Sequence, residues 1–103
     1  MRSKLESYFG FARKSGNLVA GYDTCIQLMK RNRIKLVIVT EDASEKTREK
    51  FLKLAEKHHV RIHVFGRTEE LSEMTGMDGR NIYGLTDSNF ANAIAKEIEI
   101  MRE

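Results

Sequence analysis

Two adjacent carboxylates, Glu41 and Asp42, form the clearest pair of residues whose types and spacing could support chemistry. Paired carboxylates can act as general acid and base, or they can bind Mg²⁺ together with water. The pair also stands just before a predicted helix, where Asp42 or Ser44 can accept hydrogen bonds from the unpaired backbone N–H groups of the first turn. We favour the capping interpretation, and an enzyme is the least favoured class of function for this chain.

The three histidines and the single cysteine could suggest a metal site or a nucleophile. The adjacent His58 and His59 should point in different directions at the end of a predicted helix. Neither they nor His63 have a cysteine or carboxylate at ligand spacing. We expect these histidines to face solvent or the negative end of the helix. Cys25 lies on the apolar side of its predicted helix without a histidine nearby in sequence, which favours packing. The sequence thus predicts no metal site.

The glycines match neither a phosphate-binding loop nor a dinucleotide-binding fingerprint. These patterns depend on glycines at fixed spacing, because the backbone must approach a phosphate group closely. We therefore expect no cofactor.

A short apolar run, Leu36–Val39, lies at the centre of the predicted architecture. Its β-branched residues indicate a strand that is buried on both faces of a sheet. The run ends at three polar residues, which lead into a predicted helix start. In open α/β folds, ligands usually bind in the loops beyond the carboxyl ends of such strands. The sequence therefore predicts that function lies beside Asp42.

Helices and strands are predicted to alternate, with helix followed by strand four times and a fifth helix at the end. The predicted strands are 17–20, Leu36–Val39, 61–65 and 81–85. The inward-facing residues predicted for the five helices are Leu5, Tyr8, Phe9 and Ala12, then Tyr22, Cys25, Ile26 and Met29, then Phe51, Leu54 and Ala55, then Leu71 and Met74, and finally Phe90, Ala91, Ile94, Ile98 and Met101. This order predicts an α/β fold, a three-layer α/β/α sandwich around a central four-stranded, mixed sheet.

Length and composition fit one globular domain of 103 residues, with 41% hydrophobic and 32% charged residues. No run approaches the roughly 20 apolar residues that a membrane span needs. The first ten residues lack the apolar core and cleavage site of a secretion signal. The single cysteine fits a reducing compartment. We expect a cytoplasmic protein.

The formal net charge is only +3, but the charge is unevenly distributed. Residues 1–35 contain eight Lys or Arg and two acids, whereas residues 36–103 contain ten and thirteen. Phosphate contacts dominate the affinity of proteins for nucleic acids, so a basic half favours a polyanionic partner. An unevenly charged but merely solvated surface would give the same count.

The predicted helix that opens at Gly21 has a polar face. Asp23, Gln27 and Arg31 recur every four residues, with Thr24 beside them. The unpaired N–H groups of a helix N-terminus suit phosphate groups or base edges. Periodicity alone is equally consistent with an ordinary solvent face, and this face becomes a site only if other polar loops converge on it.

Three segments resemble the kink-turn RNA-binding ribosomal proteins of the L-seven-Ae and L-thirty-e superfamily, particularly its small bacterial members. The first is residues 14–44, with Gly21 at the helix start and the central strand ending in Glu-Asp-Ala-Ser. The second is residues 60–78, with Leu71 and Gly76 at the spacing of the family, and the third is the last strand and helix. The resemblance covers nearly the whole chain.

This resemblance implies an α/β/α sandwich that performs no catalysis and binds sharply bent RNA with tandem G·A pairs, as part of a ribosome or another RNP. In the family, the opening turn of the second helix reads the guanines. The loop after the central strand and the loop before the last strand close over a flipped-out base. The implied RNA-binding residues are Gly21, Tyr22, Asp23, Thr24 and Gln27, with Lys14 and Arg31 near phosphates, then Glu41, Asp42, Ala43 and Ser44, and finally Met77, Asp78, Gly79 and Arg80.

The second helix departs from the family pattern of Asn, then Glu, then Lys three residues later. Asp23 can accept hydrogen bonds from a guanine edge but cannot donate one. Thr24 lacks a carboxylate, and Gln27 lacks a positive charge for a phosphate group. We expect RNA binding with altered recognition of G·A pairs. The alternative is a protein-interaction module on the same fold with weak or lost RNA affinity.

Overall fold

The computed structural model describes residues 2–102, with side chains from residue 4 onward. The helices are α1 (Arg2–Lys14), α2 (Tyr22–Lys30), α3 (Glu45–His58), α4 (Thr68–Thr75) and α5 (Ser88–Met101). The strands are β1 (Leu18–Ala20), β2 (Leu36–Val39), β3 (Arg61–Val64) and β4 (Ile82–Leu85). The predicted alternation of helices and strands is confirmed.

The four strands form one mixed sheet in the order β1-β4-β2-β3. β4 lies antiparallel between β1 and β2, and β2 pairs in parallel with β3. All four residues of β2 are buried, whereas β3 is partly exposed at the edge of the sheet. At one end of the sheet, four residues are aligned by strand register, namely Leu18, Leu85, Leu36 and Arg61. The row at the other end is Ile82, Val39 and Val64.

Helices cover both faces of the sheet and bury two separate cores. Side chains from α1, α4 and α5 pack on one face, around Phe9, Leu71 and Ile94. Side chains from α2 and α3 pack on the other, around Met29 and Phe51. Burial of apolar side chains stabilises the fold by about 25 cal/mol per Å². Successive side chains along each strand point to opposite faces of the sheet, so each strand contributes to both cores. The predicted three-layer sandwich is confirmed.

Two of the predicted inward-facing residues are instead exposed. Tyr22 is 43% exposed to solvent because it is the first residue of α2, where its ring lies at the border of the second core. That ring packs edge-to-face against Phe51, with 5.3 Å between the centroids. Met101 is 38% exposed because α5 ends there. No helix among residues 2–102 is long and apolar enough to cross a membrane.

Candidate nucleic-acid interface

A cleft of about 240 Å³ opens at the end of the sheet where β2 terminates and α2 begins. Its lining combines the start of α2, the loop before β4 and the first turn of α3. The lining residues are Gly21, Tyr22, Thr47, Gly79, Arg80, Asn81 and Ile82. The chain therefore brings together residues that are up to 61 positions apart in sequence.

Gly21 joins β1 to α2 and is the N-cap residue of that helix. Its φ of 112° and ψ of 151° suit glycine alone. Its N–H donates to the Ile82 carbonyl at 2.9 Å, which ties the start of α2 to β4. A Cβ at this position would lie 3.6 Å from Nη1 of Arg80, so the guanidinium lies over the helix opening. No side chain caps this N-terminus, and its first N–H groups remain available to a ligand.

Asn81 is the residue at which the loops of the cleft meet. Its backbone carbonyl accepts from the N–H of Thr40 at 2.9 Å, and its Oδ1 accepts from the hydroxyl of Thr40 at 3.2 Å. The hydroxyl of Thr68 donates to the same Oδ1 at 2.7 Å. Since Oδ1 faces these hydroxyls, Nδ2 of Asn81 makes no hydrogen bond to any described residue. Its two N–H groups remain available as donors at the cleft.

Asp42 connects the loop after β2 to the start of α4. Its Oδ1 accepts from the backbone N–H of Thr68 at 3.1 Å and lies 3.0 Å from the Thr68 hydroxyl. That hydroxyl has one proton, so it can serve either Asp42 or Asn81 at a given moment. Desolvation raises the pKa of Asp42, but hydrogen bonds from Thr40 and Thr68 outweigh it and hold the pKa below its ordinary value. Asp42 is therefore an ionised acceptor at neutral pH.

Asp42 does not cap α3, because Ser44 does. The Ser44 hydroxyl oxygen accepts from the backbone N–H of Thr47 at 3.1 Å, and its O–H donates to Oγ1 of Thr47 at 3.0 Å. Of the two capping candidates in the sequence, the structure thus selects Ser44 and leaves Asp42 to stabilise the N-terminus of α4.

The loop before β4 is held at its start by three side chains. The Thr75 hydroxyl oxygen accepts from the N–H of Met77 at 3.1 Å. The Tyr83 hydroxyl donates to the carbonyl of Met77 at 3.2 Å. Burial raises the pKa of Tyr83, so its phenol remains a hydrogen-bond donor at neutral pH. Arg13 donates to the Thr75 carbonyl at 3.0 Å, where α4 ends. These contacts position Gly79 and Arg80 over the cleft.

The sequence-predicted residues are distributed between this cleft and other places. Four of them line the cleft directly, namely Gly21, Tyr22, Gly79 and Arg80. Five exposed residues lie around it: Asp23 and Thr24 in the first turn of α2, and Glu41, Asp42 and Ser44 in the loop after β2. Asp78 is also exposed, Gln27 is exposed further along α2, and Met77 is half-buried against the first core.

Three predicted residues are not brought to the cleft. The side chain of Ala43 is 6% exposed and packs in the second core, so its methyl group faces the protein. Lys14 ends α1 before β1 begins, so the whole of β1 separates it from Gly21. Arg31 is the C-cap of α2, at the opposite end of that helix.

Sequence analysis missed Asn81, Thr47 and Thr68 as parts of the site. Asn81 stands one position before a buried strand, and this polar residue at a strand start is the only local signal. Its partners Thr40 and Thr68 are 41 and 13 residues away, respectively. Contacts at such separations leave no periodic pattern in the sequence.

The other chemical candidates in the sequence have structural roles. Cys25 is fully buried, and burial raises the pKa of its thiol to about 12, so it is a poor nucleophile. His63 is paired with Glu99 at 3.2 Å, and His59 ends α3 in a left-handed conformation. Nε2 of His58 is enclosed rather than facing solvent. No group of three or more potential metal ligands occurs within the part of the chain that the structure describes.

Comparison with known sequences decides the family. Residues 3–95 match the sequence profile of the ribosomal protein L7Ae/L30e/S12e/Gadd45 family. The chain belongs to this family. Two curated relatives are each called RNA-binding protein YlxQ. The protein from Enterococcus faecium is 29% identical over 98 residues, which cover 95% of this chain and 94% of the relative. The protein from Bacillus subtilis is 31% identical over 85 residues, which cover 82% and 85%.

Two solved structures resemble this chain in fold. A Bacillus halodurans protein of unknown function superimposes with a TM-score of 0.89 at 25% identity, over 94% of this chain and 98% of that one. The Giardia lamblia 15.5 kD RNA binding protein superimposes with a TM-score of 0.77 at 14% identity, over 95% and 87%. Because the sequence identity to the Giardia lamblia protein is low, this similarity shows a shared fold and nothing more.

Proposed function

We propose that this chain is a non-enzymatic RNA-binding protein, a single RNA-binding domain of 103 residues. In this proposal it recognises kink-turn-like or other sharply bent RNA, and it works in the cytoplasm as part of a ribosome or another RNP. Its membership of the L7Ae/L30e/S12e/Gadd45 family and its likeness to relatives named as RNA-binding proteins support this class of function.

The observation that carries the proposal is the convergence of three chain segments on one cleft. The start of α2, the loop after β2 and the loop before β4 meet around Arg80 and Asn81. This is the condition under which the polar face of α2 becomes a site rather than a solvated surface.

The groups around the cleft suit an unpaired nucleotide. The exposed ring of Tyr22 offers a face on which a base can stack. The amide N–H groups of Asn81 can donate to a base edge, and Arg80 can contact a phosphate group bidentately. A volume of about 240 Å³ suits one splayed-out base better than a larger organic ligand.

The test is a titration with two RNAs that differ only in shape. One contains tandem G·A pairs and bends sharply, and in the other these pairs are replaced by Watson–Crick pairs. The parent protein should bind the bent RNA about tenfold more tightly or better, which corresponds to ~1.4 kcal/mol. Asn81→Ala should remove most of this preference. Asn92→Ala, on the exposed face of α5, is the matched control and should retain it.

Equal affinity of the parent for the two RNAs would contradict bent-RNA recognition. If the parent bound neither RNA, the protein-interaction module on the same fold would become the leading function. Loss of preference in Asn92→Ala as well would show that Asn81 has no special role.

A further inference from the structure

The end of the sheet opposite the cleft has a concentration of exposed cations, which we call the basic end. These residues come from the connections α1–β1, α2–β2 and α3–β3, taken together with the last two residues of each helix and the first residue of β3. They are Lys14, Lys30, Arg31, Arg33, Lys35, Lys57 and Arg61. Two of them, Lys14 and Arg31, are the predicted RNA-binding cations that do not reach the cleft.

Strand register explains why these cations lie at one end. Leu18, Leu36 and Arg61 belong to the same row across the sheet, and each follows or ends one of the three basic connections. Neighbouring strands lie ~4.8 Å apart, so the row extends over roughly 14 Å. The cations are thus spread over a surface rather than gathered around one point.

The cations of the basic end have no carboxylate partners among the described residues. Residues 24–40 contain no Asp or Glu, and neither do residues 57–64. Like charges at such spacing repel one another, and a bound polyanion would remove that cost. The basic end therefore has an excess charge that the fold itself does not neutralise.

A small cavity of about 180 Å³ lies within the basic end. Asn32, Ile34, Lys35, His58, His59 and Val60 line it. Nε2 of His58 is enclosed there and has no hydrogen-bond partner. Asn32 and His59 have φ values of 58° and 57°, and they are the non-glycine residues with positive φ in the described chain. Such backbone conformations cost free energy and occur often at ligand sites.

The composition of the basic end distinguishes between polyanionic partners. Insertion into a membrane surface or a stable protein interface would require exposed apolar side chains among the cations. Among the described residues, the exposed large hydrophobic residues are Phe11, Tyr22, Leu52, Ile100 and Met101. None of them lies in segments 30–35 or 57–61, and Phe11 lies three residues before Lys14. Apart from Lys14, the cations of the basic end come from segments without an exposed large hydrophobic residue, which suits a phosphodiester backbone.

We propose that the basic end binds the phosphate backbone of a second, double-stranded RNA segment without reading its sequence. The choice of RNA over DNA rests on the proposed function, whereas binding of duplex phosphates does not. The row of roughly 14 Å gives the cations room to contact several phosphate groups at once. One protein molecule would then hold two RNA segments, one at each end of the sheet.

The test uses a mixed-sequence RNA duplex of about 20 base pairs and a salt series. Arg31→Gln, Arg33→Gln and Lys35→Gln are combined in one variant. The control variant combines Lys50→Gln, Lys53→Gln and Lys96→Gln, which are exposed cations on α3 and α5 and give the same change of net charge. The first variant should bind the duplex about tenfold more weakly, and its log–log salt slope should be shallower by roughly 2–3. The control should change affinity less than about threefold.

Three outcomes would overturn the proposal. They are unchanged duplex binding in the first variant, an equal loss in the control, and a strong preference of the parent for one duplex sequence over another. A further arm saturates the protein with bent RNA and then adds labelled duplex. Duplex binding should persist, and competition would mean that both RNAs use one site. If no bent RNA binds, the proposed function fails, but the first arm still decides the role of the basic end.

Discussion

The two ends of the sheet offer different means of interaction with a ligand. At the cleft, Asn81, Thr40, Thr68 and Asp42 fix one another through hydrogen bonds at 2.7–3.2 Å, and donors such as Nδ2 of Asn81 have a set direction. At the basic end, the cations lie on long side chains that have no ion-pair partners among the described residues. An ordered set of donors can distinguish shapes and base edges, whereas free cations attract any phosphate backbone.

This difference assigns selectivity to one end and general affinity to the other. The chain links the two ends through α2, whose N-terminus lies at the cleft and whose C-terminus belongs to the basic end. Helix α2 has 9 residues, so at ~1.5 Å per residue it spans roughly 13 Å. The distance between the two surfaces is therefore set by a rigid element.

The largest effect is expected from Gly21→Ala. A side chain at a φ of 112° is strained by ~1–3 kcal/mol, and its Cβ would contact the guanidinium of Arg80. Affinity for bent RNA should fall about tenfold or more, while duplex binding should be unchanged. Gly10→Ala is the control, since a Cβ in that part of α1 meets nothing within 4 Å. An equal loss for both RNAs would remove the distinction between the two ends.

Restoring the family pattern in α2 should increase the difference between selective binding at the cleft and general binding at the basic end. The combination of Asp23→Asn, Thr24→Glu and Gln27→Lys should strengthen binding of bent RNA about tenfold, or ~1.4 kcal/mol. Asn can both donate and accept, Glu adds an acceptor for guanine, and Lys should steepen the salt slope by ~0.7–0.9. All three positions are exposed, so thermal stability should change little. Equal affinities of the folded parent and variant would mean that this surface does not read G·A pairs.

Ser44→Ala tests a residue that stabilises α3 beside the cleft and is not expected to contact RNA. Loss of the hydrogen bond to the N–H of Thr47 should lower the free energy of unfolding by ~0.5–2 kcal/mol, measured by denaturant titration. The preference for bent over straight RNA should persist when the protein is folded. A preference lost without any loss of stability would mean that Ser44 contacts RNA directly.

Single substitutions at the basic end should have smaller effects. Arg31→Ala and Lys14→Ala should each weaken duplex binding about two- to fivefold whatever the sequence of the duplex, because phosphate contacts contain no sequence information, and should leave the affinity for bent RNA at the cleft unchanged. Each should make the salt slope shallower by about 0.7–0.9. A loss for bent RNA as large as the loss for duplex would mean that both RNAs use one site.

The smallest effect concerns acid stability through Asp42. Its folded-state pKa is lowered by the hydrogen bonds from Thr40 and Thr68, so the ionised carboxylate stabilises the fold above the ordinary pKa of ~3.9. That contribution disappears as the pH falls through the folded-state pKa. Asp42→Asn should therefore melt with less dependence on pH below about 4 than the parent. Parallel melting curves for the two proteins across this range would contradict the assigned role of Asp42.

The fold was predictable because its determinants are local. The apolar run Leu36–Val39, the periodic faces of the helices and the polar residues at helix starts indicated every element and the three layers. Exposure of Tyr22 was not predictable, because helical periodicity does not show where the neighbouring layer ends.

The site was predictable only in part. The segments that approach the cleft were implied by the family resemblance, whereas the role of Asn81 depends on hydroxyl groups of Thr40 and Thr68 from distant segments. The position of Arg31 could have been anticipated, since residues eight apart on a helix are two turns apart. Its separation from the cleft follows from helix length rather than from tertiary contacts.

The order of strands in the sheet determines which parts of the protein can form during translation. β4 is the last strand to be synthesised, yet it lies between β1 and β2. Until residues 82–85 emerge, β1 has no strand beside it, and Gly21 lacks the Ile82 carbonyl to which it donates. A nascent chain that ends at residue 70 can contain every cation of the basic end but none of the loop that completes the cleft. Under the two proposals, the cations that attract RNA would thus be synthesised before the loop that gives selectivity.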